Sequence, residues 1–261
     1  MSDSFYINPR LAKFYGIEPP SQPEFVRVKF EPDRRAGVLT HPFLLTTLSY
    51  HKSSSPIHRG VFLTRNILGR FLKPPPMAIE FMDDRFDPSL TMREKVTELT
   101  AKPACASCHA TINPLGFSLE SFDAVGRFRT EDNRKPVNAE ADYITENGEV
   151  VAVRNPRDLA RHAAASTEAR QGFVRHLFLH TAKQAPAAYG LRTIEDLDAR
   201  FIANGYHIRK LLLDIATIVA SHRLTVTPAP LNPPVPGNEP TSAITNSSVR
   251  EAGPSNSNRP L

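Results

Sequence analysis

The stretch Cys105-Ala106-Ser107-Cys108-His109 holds both cysteines of the chain and ends on a histidine. C-x-x-C-H is the attachment pattern of a c-type haem. A three-residue separation suits one turn of helix, so both sulfurs reach the same porphyrin edge, each closing a thioether on one vinyl group. The next residue, His109, can then turn an imidazole nitrogen to the iron as proximal ligand. Two cysteines scattered at random take this separation in roughly one chain in a hundred, and a following histidine lowers that to about a few in ten thousand. Three other readings compete. A redox dithiol calls for a thioredoxin-like βαβ pattern, and none is visible. A structural zinc site calls for two more ligands at short spacing, and there is no second cysteine pair. A buried reduced pair explains neither the spacing nor the histidine.

The 261 residues are 40% hydrophobic, enough for one large domain or two small ones. A mean hydropathy of −0.32 marks a soluble chain, and no apolar run reaches the length of a membrane span. The net charge of +5 is spread along the sequence, which gives little support to nucleic-acid binding and equally fits a basic surface facing an acidic redox partner protein. The first residues, Met1-Ser2-Asp3-Ser4-Phe5-Tyr6, have neither the basic nor the apolar region of a signal peptide. Haem c is attached after export, so either the chain is a fragment of a longer periplasmic or otherwise extracytoplasmic protein, its start is mis-assigned, or the haem is never loaded; the fragment is the favoured expectation.

Helix signals run outward from the haem motif. Residues 91–100 read as a helix delivering the chain to the motif through Pro103. After it, Asn113-Pro114-Leu115-Gly116 reads as a turn, and residues 118–125 as a short helix ended by Gly126. Upstream, helices are expected over residues 9–15, from Pro42 with Thr40 or His41 at its cap, and over 57–71, with a stiff connector at 74–76. Residues 25–30 alternate poorly and suit a short extended piece. Downstream, Asn147-Gly148 between Tyr143-Ile144-Thr145 and Val150-Val151-Ala152-Val153 is the strongest hairpin signal. Helices follow from Pro156 behind an Asn155 cap, over 168–183, from a capping box at Thr193-Ile194-Glu195-Asp196, and over 206–220. From about Thr225 the composition predicts a disordered tail. Asn246-Ser247-Ser248 fits a glycosylation pattern but is best explained by chance.

The block Thr91-Met92-Arg93-Glu94-Lys95, the haem motif, and residues 112–129 together resemble a cytochrome-type family of unknown function, abundant in large exported proteins of planctomycetes and related bacteria. Residues 34–45, 55–60 and 74–76 match the same module. Residues 173–190 and the helix after Tyr206 resemble its usual companion module, and residues 8–16 the end of a module that precedes both. The resemblance implies a remnant of a preceding module at 1–33, a cytochrome c-like haem module at 34–135, a helical companion with a hairpin at 136–224 and a tail at 225–261. The expected fold is mainly α.

The candidate site follows. Cys105 and Cys108 anchor one covalent haem c and His109 ligates its iron. Arg127 and Arg129, which follow closely, are candidates for pairing with the haem propionates, against a plain surface role. Met77, Met82 and Met92 precede the motif and read better as core or linker residues than as sixth ligands. His180 is the distal candidate, with His176 and His58 behind it. Glu120 and Asp123 read as capping or surface residues rather than an acid–base pair. One-electron transfer within or beside a larger assembly is the expected function, rather than stand-alone catalysis. The alternatives are a scaffold module whose haem is structural or absent, and a haem enzyme with a vacant sixth site.

Overall fold

The computed structural model describes residues 2–31, 34–74 and 81–221. The expected tail, most of the 74–76 connector, Met77 and the Asn246 pattern lie outside them. Among the described residues the chain is mainly α, with short antiparallel strand pairs.

At the N-terminus β1 (Ser4–Ile7) pairs with β2 (Val26–Lys29), Ser4 opposite Lys29. The poorly alternating segment at 25–30 becomes a strand because this partner supplies its hydrogen bonds. Between them lies α1 (Pro9–Phe14), where the Asn8 side chain accepts the Leu11 N–H and Pro9 occupies the first turn. His41 caps α2 (Pro42–Thr47) through its ring, and Ser55 caps α3 (Pro56–Phe62). The helix expected to reach residue 71 instead ends in a π turn, Leu63–Ile67, followed by Gly69 at φ +70°. Gly69 lies directly on Gly172, too close for a Cβ on either residue, so the chain must turn there.

Thr91 and Glu94 form a reciprocal capping box that opens α4 (Met92–Leu99). The next helix, α5 (Pro103–Phe117), corrects two expectations. Asn113-Pro114-Leu115-Gly116 is not a turn but the last part of α5, and residues 118–125 form turns rather than a helix. Pro114 removes one helical N–H, and the carbonyl it frees belongs to the exposed Ala110. Gly116 serves close approach rather than a turn. A Cβ on it would lie 2.0 Å from the Pro56 carbonyl oxygen, and one on Gly60 would lie 2.2 Å from that of Ile112. Two glycines thus let α3 and α5 pack backbone to backbone, burying Ile112, Leu115 and Phe117.

A two-residue hairpin joins β3 (Glu131–Asp132) to β4 (Lys135–Pro136), with Asn133 and Arg134 both at positive φ. The Asn147-Gly148 hairpin forms as expected between β5 (Ala141–Ile144) and β6 (Val150–Val153). Asn155 and Asp158 cap α6 (Pro156–Ala165), which leads into α7 (Thr167–Ala182). Thr193 does not cap α8 (Thr193–Ala203) as its sequence pattern implies. It is already helical, and its hydroxyl donates to the Gly190 carbonyl. Tyr206 falls in a turn at φ +60°, so α9 (Ile208–Ser221) starts two residues later than expected.

The main core draws Leu39, Leu45, Leu63, Leu115, Leu119 and Phe122 together with Tyr143, Val153 and Leu159. Residues on both sides of the expected boundary at 135/136 therefore share one core. A second core joins α7, α8 and α9 through Val174, Phe178, Leu197, Phe201, Leu211 and Ile215. Arg170 grips the buried Asp198 at its edge with both carboxylate oxygens in reach.

Gly116→Ala and Gly60→Ala should each cost at least about 2 kcal/mol, because the obstructing atoms are backbone and cannot rotate away. Gly148→Ala meets nothing within 4 Å and strains only its own φ, so it should cost less. Urea unfolding of the three variants checks the order.

Candidate functional site

Pro103 fixes the first turn of α5, and Lys102 O accepts the N–H groups of both Cys105 and Ala106. Cys105 and Cys108 are therefore placed three residues apart on one helix, as half-buried free thiols. His109, one position further, lines a cleft of about 450 Å3 with Ala106, Ala110, Asn113, Pro114 and Phe117 of α5. Arg93, Thr97, Thr100 and Ala101 form the facing wall, and Ala141 and Asp142 of β5 close one end. The cleft is an open groove, and neither Cys105 nor Cys108 is among the residues that line it.

A relay of hydrogen bonds holds the imidazole. The Thr100 hydroxyl donates to Val96 O at 2.7 Å, so its oxygen accepts from Asn113 Nδ2 at 2.8 Å. That orientation turns Asn113 Oδ1 toward His109 Nδ1, 2.9 Å away. Nδ1 then carries the proton and donates it, which leaves the lone pair on Nε2. Thr100 is buried and Asn113 and His109 half-buried, so the relay is sheltered from competing water. Among the described residues no three His, Cys, Asp or Glu side chains converge as a metal-binding group.

Arg127 and Arg129 are not brought to this cleft. Arg127 is exposed and pairs with Asp123 at 2.7 Å. Arg129 donates to Glu120 Oε2 at 2.9 Å, to Asp132 at 2.7 Å and to Ser54 at 3.1 Å. Both guanidiniums are neutralised by carboxylates of their own segment. His180 is exposed on α7 and lines no part of the cleft. The buried stripe of α7 runs through Val174 and Phe178, and His180 lies off it; His176 is exposed as well. His58 rests its ring on Tyr50 with centroids 5.1 Å apart. Met92 is buried against Val96 and Phe117, a core residue.

Glu120 is fully buried rather than capping or surface-exposed, because Arg59 lies 3.5 Å from it and Arg129 and Ser54 hydrogen-bond its other oxygen. Burial raises its pKa, while the two arginines and Ser54 oppose that shift. Arg59 has a pKa pushed down to about 10 by the same burial and stays charged at neutral pH. Asp123 accepts the N–H groups of Val125 and Arg127, shaping a turn. Sequence reasoning assigns no site role to Asn113, Thr100 or Arg93. Asn113 four residues after His109 on a continuous helix would have signalled the relay, had Pro114 not suggested a turn.

A family model described as PSCyt3: Protein of unknown function (DUF1588) matches residues 35–132. This stretch runs from the segment before α2 through α5 to the start of the β3–β4 hairpin, and contains the cleft apart from Ala141 and Asp142. No curated protein and no solved structure matches the chain.

In the full-length apoprotein, nitrogen-15 NMR of His109 should show the Nδ1–H tautomer. Asn113→Leu should move it toward Nε2–H, with Thr100→Val intermediate. An unchanged tautomer in Asn113→Leu would show that the relay does not set it.

Proposed function

We propose that the chain is a c-type haem protein that transfers single electrons, with Cys105 and Cys108 as thioether anchors and His109 as proximal ligand. The observation that carries this reading is His109 itself: it lines an open groove one residue after the C-x-x-C pair, tied through Nδ1 and free at Nε2. A dithiol redox site has no use for that histidine, and a protein-only zinc site needs ligands that do not converge there. The label PSCyt3 of the matching family is in keeping with a cytochrome.

When bound, the haem supplies the redox chemistry, its iron alternating between ferric and ferrous states. The residues of this chain do the holding. Cys105 and Cys108 fix one porphyrin edge to the first turns of α5. Asn113 and Thr100 hold the His109 ring against rotation and favour electron donation from Nε2. Phe117 and Pro114 give the groove an apolar wall, which would lower the polarity around a bound iron and so tune its potential. The partner in this reading is a redox protein or another module of a longer extracytoplasmic chain. Among the described residues no helix is long and apolar enough to cross a membrane.

An exported version of the chain, co-expressed with a haem-attachment system, should give a c-type pyridine haemochrome and a haem-stained band on a denaturing gel. Cys105→Ser/Cys108→Ser should abolish the stain, and His109→Ala should lose the low-spin spectrum of any haem still attached. Wild-type protein that shows neither band nor haemochrome would sink the proposal.

A further inference from the structure

We propose that Arg93, rather than Arg127 or Arg129, is the carboxylate clamp of the His109 cleft and takes a propionate of the bound haem. The inference rests on the haem reading and adds to it the residue that answers the cofactor's negative charge. Arg93 is the one cation among the residues that line this cleft. The one anion there, Asp142, is paired with Arg154 at 3.2 Å. The carboxylates of Glu120 and Glu140 act on Arg93 from a distance, but neither forms an ion pair with it.

The guanidinium is also prepared for a bidentate contact. Its Nη1 donates to Asn138 O at 2.8 Å, Asn138 Oδ1 at 3.2 Å and Glu140 O at 2.7 Å. Its Cζ lies 4.6 Å from the centre of the Phe117 ring, a side chain of the same cleft. One nitrogen and one face are thus fixed. Among the described residues nothing hydrogen-bonds Nε or Nη2, and no carboxylate pairs with Arg93. A guanidinium held on one edge and stacked on a ring presents the other edge as a fork with its two N–H groups parallel, the geometry that a carboxylate matches.

A second cleft, of about 470 Å3, shares Arg93, Thr97 and Ala101 with the first, so the Arg93 side chain stands where the two meet. The other cations lining that second cleft are already engaged. Lys135 pairs with Glu94 at 2.9 Å, and Arg129 with Glu120 and Asp132. Neither is available to a ligand without breaking an ion pair, and Arg93 needs to break none.

The test compares affinity of the full-length apoprotein, thiols kept reduced, for iron protoporphyrin IX and for its dimethyl ester, in which both propionates are uncharged. Wild type should prefer the free acid, and Arg93→Gln should reduce that preference by about tenfold, the weight of one charge-assisted pair. Arg93→Lys keeps the charge without the fork and should fall between them. If Arg93→Gln does not fold, as judged by circular dichroism, the acid-to-ester ratios of wild type and Arg93→Lys decide. Equal affinity of wild type for acid and ester, an undiminished preference in Arg93→Gln, or a preference abolished by Arg127→Gln instead would overturn the assignment and leave the haem reading standing. Wild-type protein that binds neither compound would overturn both.

Discussion

The ion pair of Arg59 with Glu120 sits at the centre of the structure, with both side chains excluded from water. Arg59 also donates to three carbonyls, those of Leu119, Phe122 and Asp123, at 2.7–3.0 Å. The segment after α5 has no helix or long strand to satisfy its backbone, so its carbonyls need side-chain donors. Arginines from separate parts of the chain supply them. Arg35 donates to Gly126 O at 2.9 Å and Arg129 to Glu120 O at 2.9 Å. Removing one partner of a buried pair costs about 3–5 kcal/mol, far more than an exposed ion pair is worth; here Arg129 and Ser54 still hold Glu120, and three carbonyls still hold Arg59. The path of the chain beyond α5 is thus set by buried charge, and the hydrophobic core closes around it.

That anchoring divides α5 into two halves with different duties. The C-terminal half is locked by the Gly60 and Gly116 contacts with α3 and by the arginine-held loop that follows it. The N-terminal half, with both cysteines, stands half in solvent. A cofactor attached there gains the rigidity of a buried element without having to penetrate the core, and the Asn113–Thr100 relay extends that rigidity to the His109 ring. The capping box at Thr91 and Glu94 serves the same end from the facing wall, since it fixes where α4 begins and so where Arg93 stands.

What could be read from the sequence was mostly local. His41 and Asn155 cap helices through their side chains, and Asn147-Gly148 turns a hairpin, because each signal acts within four residues. The cysteine spacing is equally local, and the mainly α architecture followed from many such signals together. Where local chemistry competed with packing, packing prevailed. Asn113-Pro114-Leu115-Gly116 has the composition of a turn, yet burial of Leu115 and Phe117 and the approach of α3 to Gly116 carry the helix through it. The misplaced helix at 118–125 has the same origin. Its apolar residues Leu119 and Phe122 do enter the core, but on a turn whose carbonyls are met by Arg59, 60 or more residues away in sequence.

Nearness in sequence also misleads about which charges share a site. Arg127 and Arg129 follow the haem motif closely, and that proximity alone made them candidates for its propionates. A helix of 15 residues spans about 22 Å, so α5 carries everything after Phe117 to the end remote from Cys105. Arg93 lies before the motif, but the short connection between α4 and α5 folds its helix back alongside the one that bears His109. The same geometry explains the neutralised state of Arg127 and Arg129. Beyond α5 the half-buried Arg129 meets Glu120 and Asp132 within the protein, and the exposed Arg127 pairs with Asp123 four residues before it. At the other end of the helix pair, Arg93 has one nitrogen satisfied by Asn138 and Glu140, and the carboxylates of Glu120 and Glu140 act on it without forming an ion pair.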